Sequence, residues 1–246
     1  MDLSLAIVLV GAVLAGFTTG FAGFGTGLVA CGLWFYALPA GYVPPLVALV
    51  AIAGHVVGLL TLRRSIDWRP AWPYLVGGAV GVPLGVWALS MASPALLRTS
   101  IGAFLVAYAL FRLWRSRPAP WVARRGRASD GLIGVGGGFL GGFSGLSGPL
   151  PLIWVQLKGL PVDAQRAVYQ PFNLVVLALA STAMAVGGQI NAEILRTALV
   201  CIPVAIASAW IGARAYIGLS PAVFEKIVLV LLLLSGTILL AQSGLP

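Results

Sequence analysis

Charge is what this sequence has least of. Only 9% of its 246 residues are charged, and Asp and Glu together number 6. A soluble domain carries ~25% charged residues, so the soluble globular class is excluded. There is one histidine, His55, and two cysteines, Cys31 and Cys201, stand far apart. Such a set cannot build a zinc site, so no metal and no cofactor is expected. Both cysteines lie in apolar stretches and read as small buried hydrophobes, which leaves the redox compartment open. The N-terminus lacks a signal peptide's basic n-region. Asp2 stands there, and the apolar run continues past a normal h-region.

Apolar residues fill the space that charge leaves. They make up 60% of the chain, with a mean hydropathy of +1.02. The expected class is an all-α polytopic protein of the lipid bilayer, multi-pass in the cell (inner) membrane. The net charge of +9 does not signal a nucleic-acid partner. The arginines cluster between apolar spans, as the positive-inside bias predicts.

A span needs ~20 residues. Six segments qualify: Pro44–Leu62, Trp72–Met91, Arg98–Leu113 (slightly short), Arg166–Gly188, Ala192–Ala213 and Pro221–Leu240. Leu3–Leu38 and Leu132–Leu157 are awkward lengths, and both are broken by glycine. Each reads as a helical hairpin, or a broken pair of short helices, that returns to the side it entered from. Each half then holds a hairpin plus three spans, so the halves are inverted. This arrangement puts thirteen Lys and Arg inside and only Arg98 and Arg196 outside. A single crossing by each segment would give ten against five. The positive-inside rule favours inversion. The expected organisation is a first repeat over 1–114, a basic cytoplasmic linker over 115–130 and a second repeat over 131–246.

The breaks are duplicated. GFAGFGT at Gly20–Thr26 matches GFSGLSG at Gly142–Gly148, and each is followed by Leu-Pro, at Leu38–Pro39 and Leu160–Pro161. Both spacings are 122 (142 − 20 and 160 − 38). Later in each half the offset drifts to 127, where Gly85 and Ser93–Pro94 match Gly212 and Ser220–Pro221. A duplicated, glycine-broken apolar segment is a good sequence pointer to a transporter's substrate site.

The chemistry expected at the breaks is anion binding. Ser147-Gly148-Pro149 reads as a helix start with Ser147 as N-cap, and Gly25-Thr26 plays the same part in the first half. A helix N-terminus inside the membrane offers unpaired N–H groups and the positive end of the dipole. The candidate binding set is Gly23, Gly25, Thr26, Ser144, Gly145, Ser147 and Gly148, with Gln170 and Asn173 from the following span. Glycines spaced by four, such as Gly16 and Gly20 or Gly134, Gly138 and Gly142, equally serve close helix packing. His55 lies mid-span, where it is either a packing residue or a proton-coupling group. Arg166 is either a topology anchor or an attractor of anions from the cytoplasm.

The two half-motifs, GFAGFGTG and GGFSGLSGP with Leu-Pro downstream, resemble the TauE/SafE family of sulfite and organosulfonate transporters. So do the chain length, the basic linker and Gly212-Ala213-Arg214. The resemblance implies transport of a small sulfur-containing anion such as sulfite or an organosulfonate; a coupling proton or other ion is a partner that His55 raises and the sequence does not fix. It does not specify which anion. Two other classes compete. Gly142-Phe143-Ser144-Gly145 also reads as the G-x-S-G of a rhomboid-like intramembrane hydrolase with Ser144 as nucleophile. That reading needs a base, and His55 lies on the wrong side of Ser144 in the chain. A passive anion channel is the third class, expected to show rings of charge or a carbonyl filter.

Overall fold

The computed structural model describes residues 3–61, 68–114, 119–215 and 221–243, and every regular element among them is helical. Asp2, Arg63, Arg64, Arg115, Arg117, Ser220 and Pro246, which enter the charge, repeat and topology arguments, lie outside the described residues. The first half runs α1 (Leu3–Ala22), α2 (Thr26–Ala37), a 3-10 turn (Ala40–Tyr42), α3 (Val43–Thr61), α4 (Trp72–Met91) and α5 (Pro94–Trp114). A short α6 (Pro120–Ala123) follows. The second half runs α7 (Arg127–Ser144), α8 (Pro149–Leu157), α9 (Val162–Val186), α10 (Ala192–Ala215) and α11 (Pro221–Ser243). Among the described residues, six helices are long and apolar enough to cross a membrane.

The span expected at Arg98–Leu113 begins a turn earlier, at Pro94. The Ser93 hydroxyl accepts the Leu96 N–H at 3.2 Å, and proline suits the first helical turn because it has no N–H to leave unpaired. Asn191 does the same for α10, its Oδ1 accepting the Ile194 N–H at 2.9 Å.

Both glycine-broken segments are hairpins. In the first, Trp34 Nε1 donates to the Val8 carbonyl at 3.0 Å near the open end, and Thr26 and Thr19 pair their hydroxyls near the tip. In the second, Trp154 Nε1 reaches Asp130 Oδ1 at 2.7 Å at the open end. The arms are unequal. α1 has 20 residues and α7 has 18, but α2 has 12 and α8 only 9. At 1.5 Å per residue the returning arms reach about 18 and 14 Å, well short of a ~30 Å hydrocarbon core.

The two sequence offsets reappear as packing. Each hairpin lies on a helix of the other half: α1 on α10, and α7 on α4. A Cβ added at Gly16 would stand 2.4 Å from the Ala205 carbonyl oxygen, and one at Gly138 would stand 2.3 Å from that of Gly78. Likewise Gly20 abuts Ala209 and Gly142 abuts Val82, while Gly212 abuts Phe17 and Gly85 abuts Phe139. Every one of these pairs maps onto its mate when 122 relates α1 to α7 and 127 relates α4 to α10. The glycines progress in the same sense along both partners, so each pair of helices is parallel. Backbones this close pack by dispersion without a hydrophobic drive, as membrane interfaces require.

Candidate functional site

Each hairpin turns through a left-handed glycine. Gly23 has φ 77° and Gly145 has φ 75°, at positions 122 apart. The Gly23 N–H closes on the Thr19 carbonyl at 2.7 Å, and the Gly145 N–H closes on Gly141 at 3.0 Å. Only glycine takes this conformation at little steric cost. A third glycine with positive φ, Gly25 at 103°, starts α2.

The tips meet. A cavity of about 20 Å³ lies between them, lined from the first half by Gly25, Thr26, Ala51 and His55 and from the second by Gly145, Ser147, Gly148 and Asn173. All four polar side chains, on Thr26, His55, Ser147 and Asn173, are buried. The offset of 122 relates Gly25 to Ser147, Ala51 to Asn173 and His55 to Leu177, which also lines the cavity. The site therefore straddles equivalent positions, but its polarity is unequal. The first half supplies an imidazole where the second has leucine, and the second supplies an amide where the first has alanine.

Two expectations need correction. Ser147 is not the cap of α8. Gly148 holds the N-cap position, no side chain caps it, and the Ser147 hydroxyl instead donates to Asn173 Oδ1 at 3.0 Å. Thr26 caps nothing either. It is the first residue of α2 and pairs with Thr19. Thr19 gives its own proton to the Ala15 carbonyl at 2.9 Å, so Thr26 is the donor within the pair. A hydroxyl has one proton, so both tip hydroxyls are engaged in this closed arrangement. The free donor capacity lies elsewhere. The first α2 bond runs from the Val29 N–H to the Gly25 carbonyl, which leaves the amides of Thr26, Gly27 and Leu28 without a partner in their own helix. α8 carries Pro149 and Pro151 in its first turn, so two of its positions have no N–H. The amide of Asn173 compensates on that side.

Three predicted residues fall outside the cavity. The Ser144 hydroxyl donates to the Leu140 carbonyl of its own helix at 2.8 Å. Gly23 and Gln170 face one another, and a Cβ at Gly23 would stand 2.7 Å from Gln170 Nε2. Gln170 Oε1 is buried without a hydrogen-bond partner.

A cavity of about 260 Å³ opens on the other side of the first tip, where Phe24 and Tyr169 meet edge-on with centroids 6.2 Å apart. The Tyr169 hydroxyl donates to the Ala22 carbonyl at 3.2 Å, fastening α9 to the turn. Arg112 and Arg166 line this cavity. Arg112 donates to Gln156 Oε1, and Arg166 Nε is buried without an acceptor. Sequence reasoning left Arg166 between anchor and attractor. Helical spacing held the missing signal. Arg166, Gln170, Asn173 and Leu177 fall at i, i+4, i+7 and i+11, one face of α9.

The open end of the second hairpin is pinned by one carboxylate. Asp130 Oδ1 accepts from Tyr74 Oη at 2.9 Å, Trp154 Nε1 at 2.7 Å and Lys158 Nζ at 2.5 Å. This cluster joins α4, α7 and the end of α8. Among the described residues no group of three His, Cys, Asp or Glu is placed to hold a metal ion.

Helices of membrane length, with two half-returning hairpins whose tips meet inside the bundle, define a polytopic membrane transporter. The chain matches the sequence profile of the sulfite exporter TauE/SafE family over residues 8–239, and it belongs to that family. It is 29% identical over 212 residues to a probable sulfite/organosulfonate exporter TauE of Cupriavidus necator, an alignment covering 83% of this chain and 81% of that one. No solved structure matches. Members of the family are transporters and not enzymes, so the hydrolase reading of Ser144 falls.

Proposed function

We propose that the protein moves a small sulfur-containing anion, sulfite or an organosulfonate, across the cell membrane by alternating access, holding it between the two hairpin tips. The observation that carries this reading is the convergence of both tips on one buried polar cavity at equivalent positions of a duplicated chain. A dehydrated anion in low dielectric is very costly unless several donors replace its water. The first-turn amides of α2 and the amide of Asn173 supply such donors without a fixed formal charge, aided by the helix dipole. A cavity of about 20 Å³ holds one water, and a four-atom oxyanion exceeds it. The tips part to admit the anion, and the Ser147 hydroxyl turns from Asn173 to the ligand. Tips that close this far suit alternating access better than a passive pore.

The two repeats, 1–114 and 131–246 about the basic linker 115–130, are read as inverted. The thirteen-to-two charge distribution, the hairpin form of both opening segments and the parallel cross-half pairs support this. Cysteine labelling from the outer face at Asp2 and Pro246 tests it, and protection of either from outside reagents points to parallel halves. His55, at the tips, is read as the proton-coupling group.

The binding assay uses protein in proteoliposomes loaded with sulfite or sulfoacetate. Ser147→Ala weakens binding by roughly 1 kcal/mol, the value of one hydrogen bond, and valine at Gly25 abolishes transport by closing off the α2 amides. If affinity survives both changes in folded protein, the glycine motifs are packing devices and the anion binds elsewhere.

A further inference from the structure

Three arginines stand close together where the chain passes from the first half to the second. Arg124, Arg125 and Arg127 are all exposed, and among the described residues none of the three forms an ion pair. The nearest carboxylate in sequence, Asp130, is buried and already serves Tyr74, Trp154 and Lys158. A topology anchor needs only charge on one side of the membrane, and a free loop would supply it. This segment is instead a fixed elbow. The Ala119 N–H donates to the Leu157 carbonyl at 2.8 Å, the Arg125 N–H closes on the Val122 carbonyl at 3.0 Å, and Ala119 and Val122 are both buried. The elbow turns one large aromatic side chain outward. Trp121 is 55% exposed, with the Arg125 guanidinium 6.0 Å from its ring centroid. The depth of the elbow follows from α7, which begins at Arg127 and whose first large apolar side chain, Leu132, is 73% exposed. Five residues of helix put Arg127 about 7.5 Å from that apolar surface, roughly the thickness of a headgroup layer.

We propose that the elbow over residues 121–127 is a binding site for the headgroup of an anionic phospholipid. Arg124, Arg125 and Arg127 take the phosphate, for which the guanidinium fork is suited, and the indole of Trp121 lies at the boundary between headgroups and acyl chains. An exposed indole gains from that boundary, which favours a lipid over a soluble anion as the occupant. Both arms of the second hairpin start from this elbow. α7 begins at Arg127, and the Ala119–Leu157 bond holds the end of α8. A lipid seated here fixes the depth of the hairpin in the bilayer, and with it the level of its tip.

The test uses full-length protein in phosphatidylcholine vesicles doped with phosphatidylglycerol, with bromine on the acyl chains of one lipid at a time. Bromine quenches tryptophan on contact, and the difference between the unsubstituted protein and Trp121→Phe isolates Trp121 among the 8 tryptophans. A basic residue near a membrane surface is worth about fivefold in affinity for anionic lipid. Brominated phosphatidylglycerol therefore quenches Trp121 at a mole fraction roughly tenfold or more below that needed for brominated phosphatidylcholine. Gln at Arg124, Arg125 and Arg127 together removes this preference, while Lys at the same positions keeps most of it. Salt at ~1 M, where the Debye length is ~3 Å, weakens it. The lipid series on the unsubstituted protein needs no arginine variant, so a misfolded or misinserted mutant does not decide the matter. Equal quenching by the two lipids, or a preference that survives the triple Gln change in folded protein, overturns the site. Soluble glycerophosphate carries the same phosphate and is expected to leave the quenching unchanged. If it displaces the lipid, the occupant is a soluble anion and the assignment fails. Transport takes no part in this readout, so the transport reading is tested separately.

Discussion

Gly145 and Gly188 have nearly the same backbone conformation, φ 75° and 73°, in very different surroundings. A Cβ at Gly188 would meet nothing within 4 Å. A Cβ at Gly145 would stand 2.6 Å from Val47 Cγ1 and 3.2 Å from the Pro44 carbonyl oxygen. Alanine at Gly188 pays only the left-handed penalty, about 1–2 kcal/mol. Alanine at Gly145 pays that and also an overpacking cost of about 1–3 kcal/mol, because Val47 is buried and its neighbour is backbone. Gly145→Ala is therefore expected to lose about 2–5 kcal/mol, and Gly188→Ala no more than about 2. Unfolding of each variant in mixed detergent–lipid micelles, titrated with denaturing surfactant, gives both numbers. The difference between them isolates the seating of the hairpin tip on α3, because the conformational term cancels. Equal losses would refute the reasoning, since the tip would then have room to move off α3 at no cost.

Three further outcomes follow from the geometry. Asp130→Ala leaves Lys158 without its partner at a site where both side chains are only 12–13% exposed. It should destabilise the protein by about 3 kcal/mol, and adding Lys158→Met should recover part of the loss in the same unfolding assay. Gly16→Ala and Gly138→Ala occupy matched sites with Cβ clearances of 2.3–2.4 Å from the nearest oxygen, so their losses should agree within about 1 kcal/mol. A twofold or larger disparity in loss would show that the halves do not share the packing. His55→Gln should alter the pH dependence of sulfite flux relative to the unsubstituted protein, because a histidine at the tips can carry the coupling proton. An unchanged profile assigns His55 to packing.

The hairpins were legible because glycine clusters inside apolar runs have few readings that cost so little. Here the two readings, packing and site, are both true of different glycines. Gly16, Gly20, Gly138 and Gly142 serve the cross-half contacts, while Gly23, Gly25 and Gly145 shape the tips. The offsets of 122 and 127 carried more than repetition, since they name which residues touch. What stayed illegible depends on how helices are rotated against one another. Ser147 sits two residues before a proline-led helix and has the chemistry of a cap, but Asn173 lies within reach and takes its proton. That choice follows from the facing of α9, on which local sequence is silent. Arg166 was hidden for another reason. The positive-inside rule explains it fully as an anchor, so the helical face that it shares with Gln170 and Asn173 was not needed to account for it. The mutual engagement of the tip hydroxyls required the Thr19–Ala15 bond to be seen.

The seating of α1 on α10 and of α7 on α4 has a consequence for biosynthesis. α1 leaves the ribosome before the other described helices, and its glycine face waits for a partner, α10, that emerges only after α2 to α9. α7 finds α4 already inserted. The two halves share one packing scheme but assemble on different schedules: the second closes almost as it is made, while the first remains open until the second is nearly complete. A separately produced first half would retain a notched helix with no seat. The duplication thus yields two interlocked pieces rather than two independent ones, and the seating of α1 on α10 is a contact of long sequence separation, the kind that forms late.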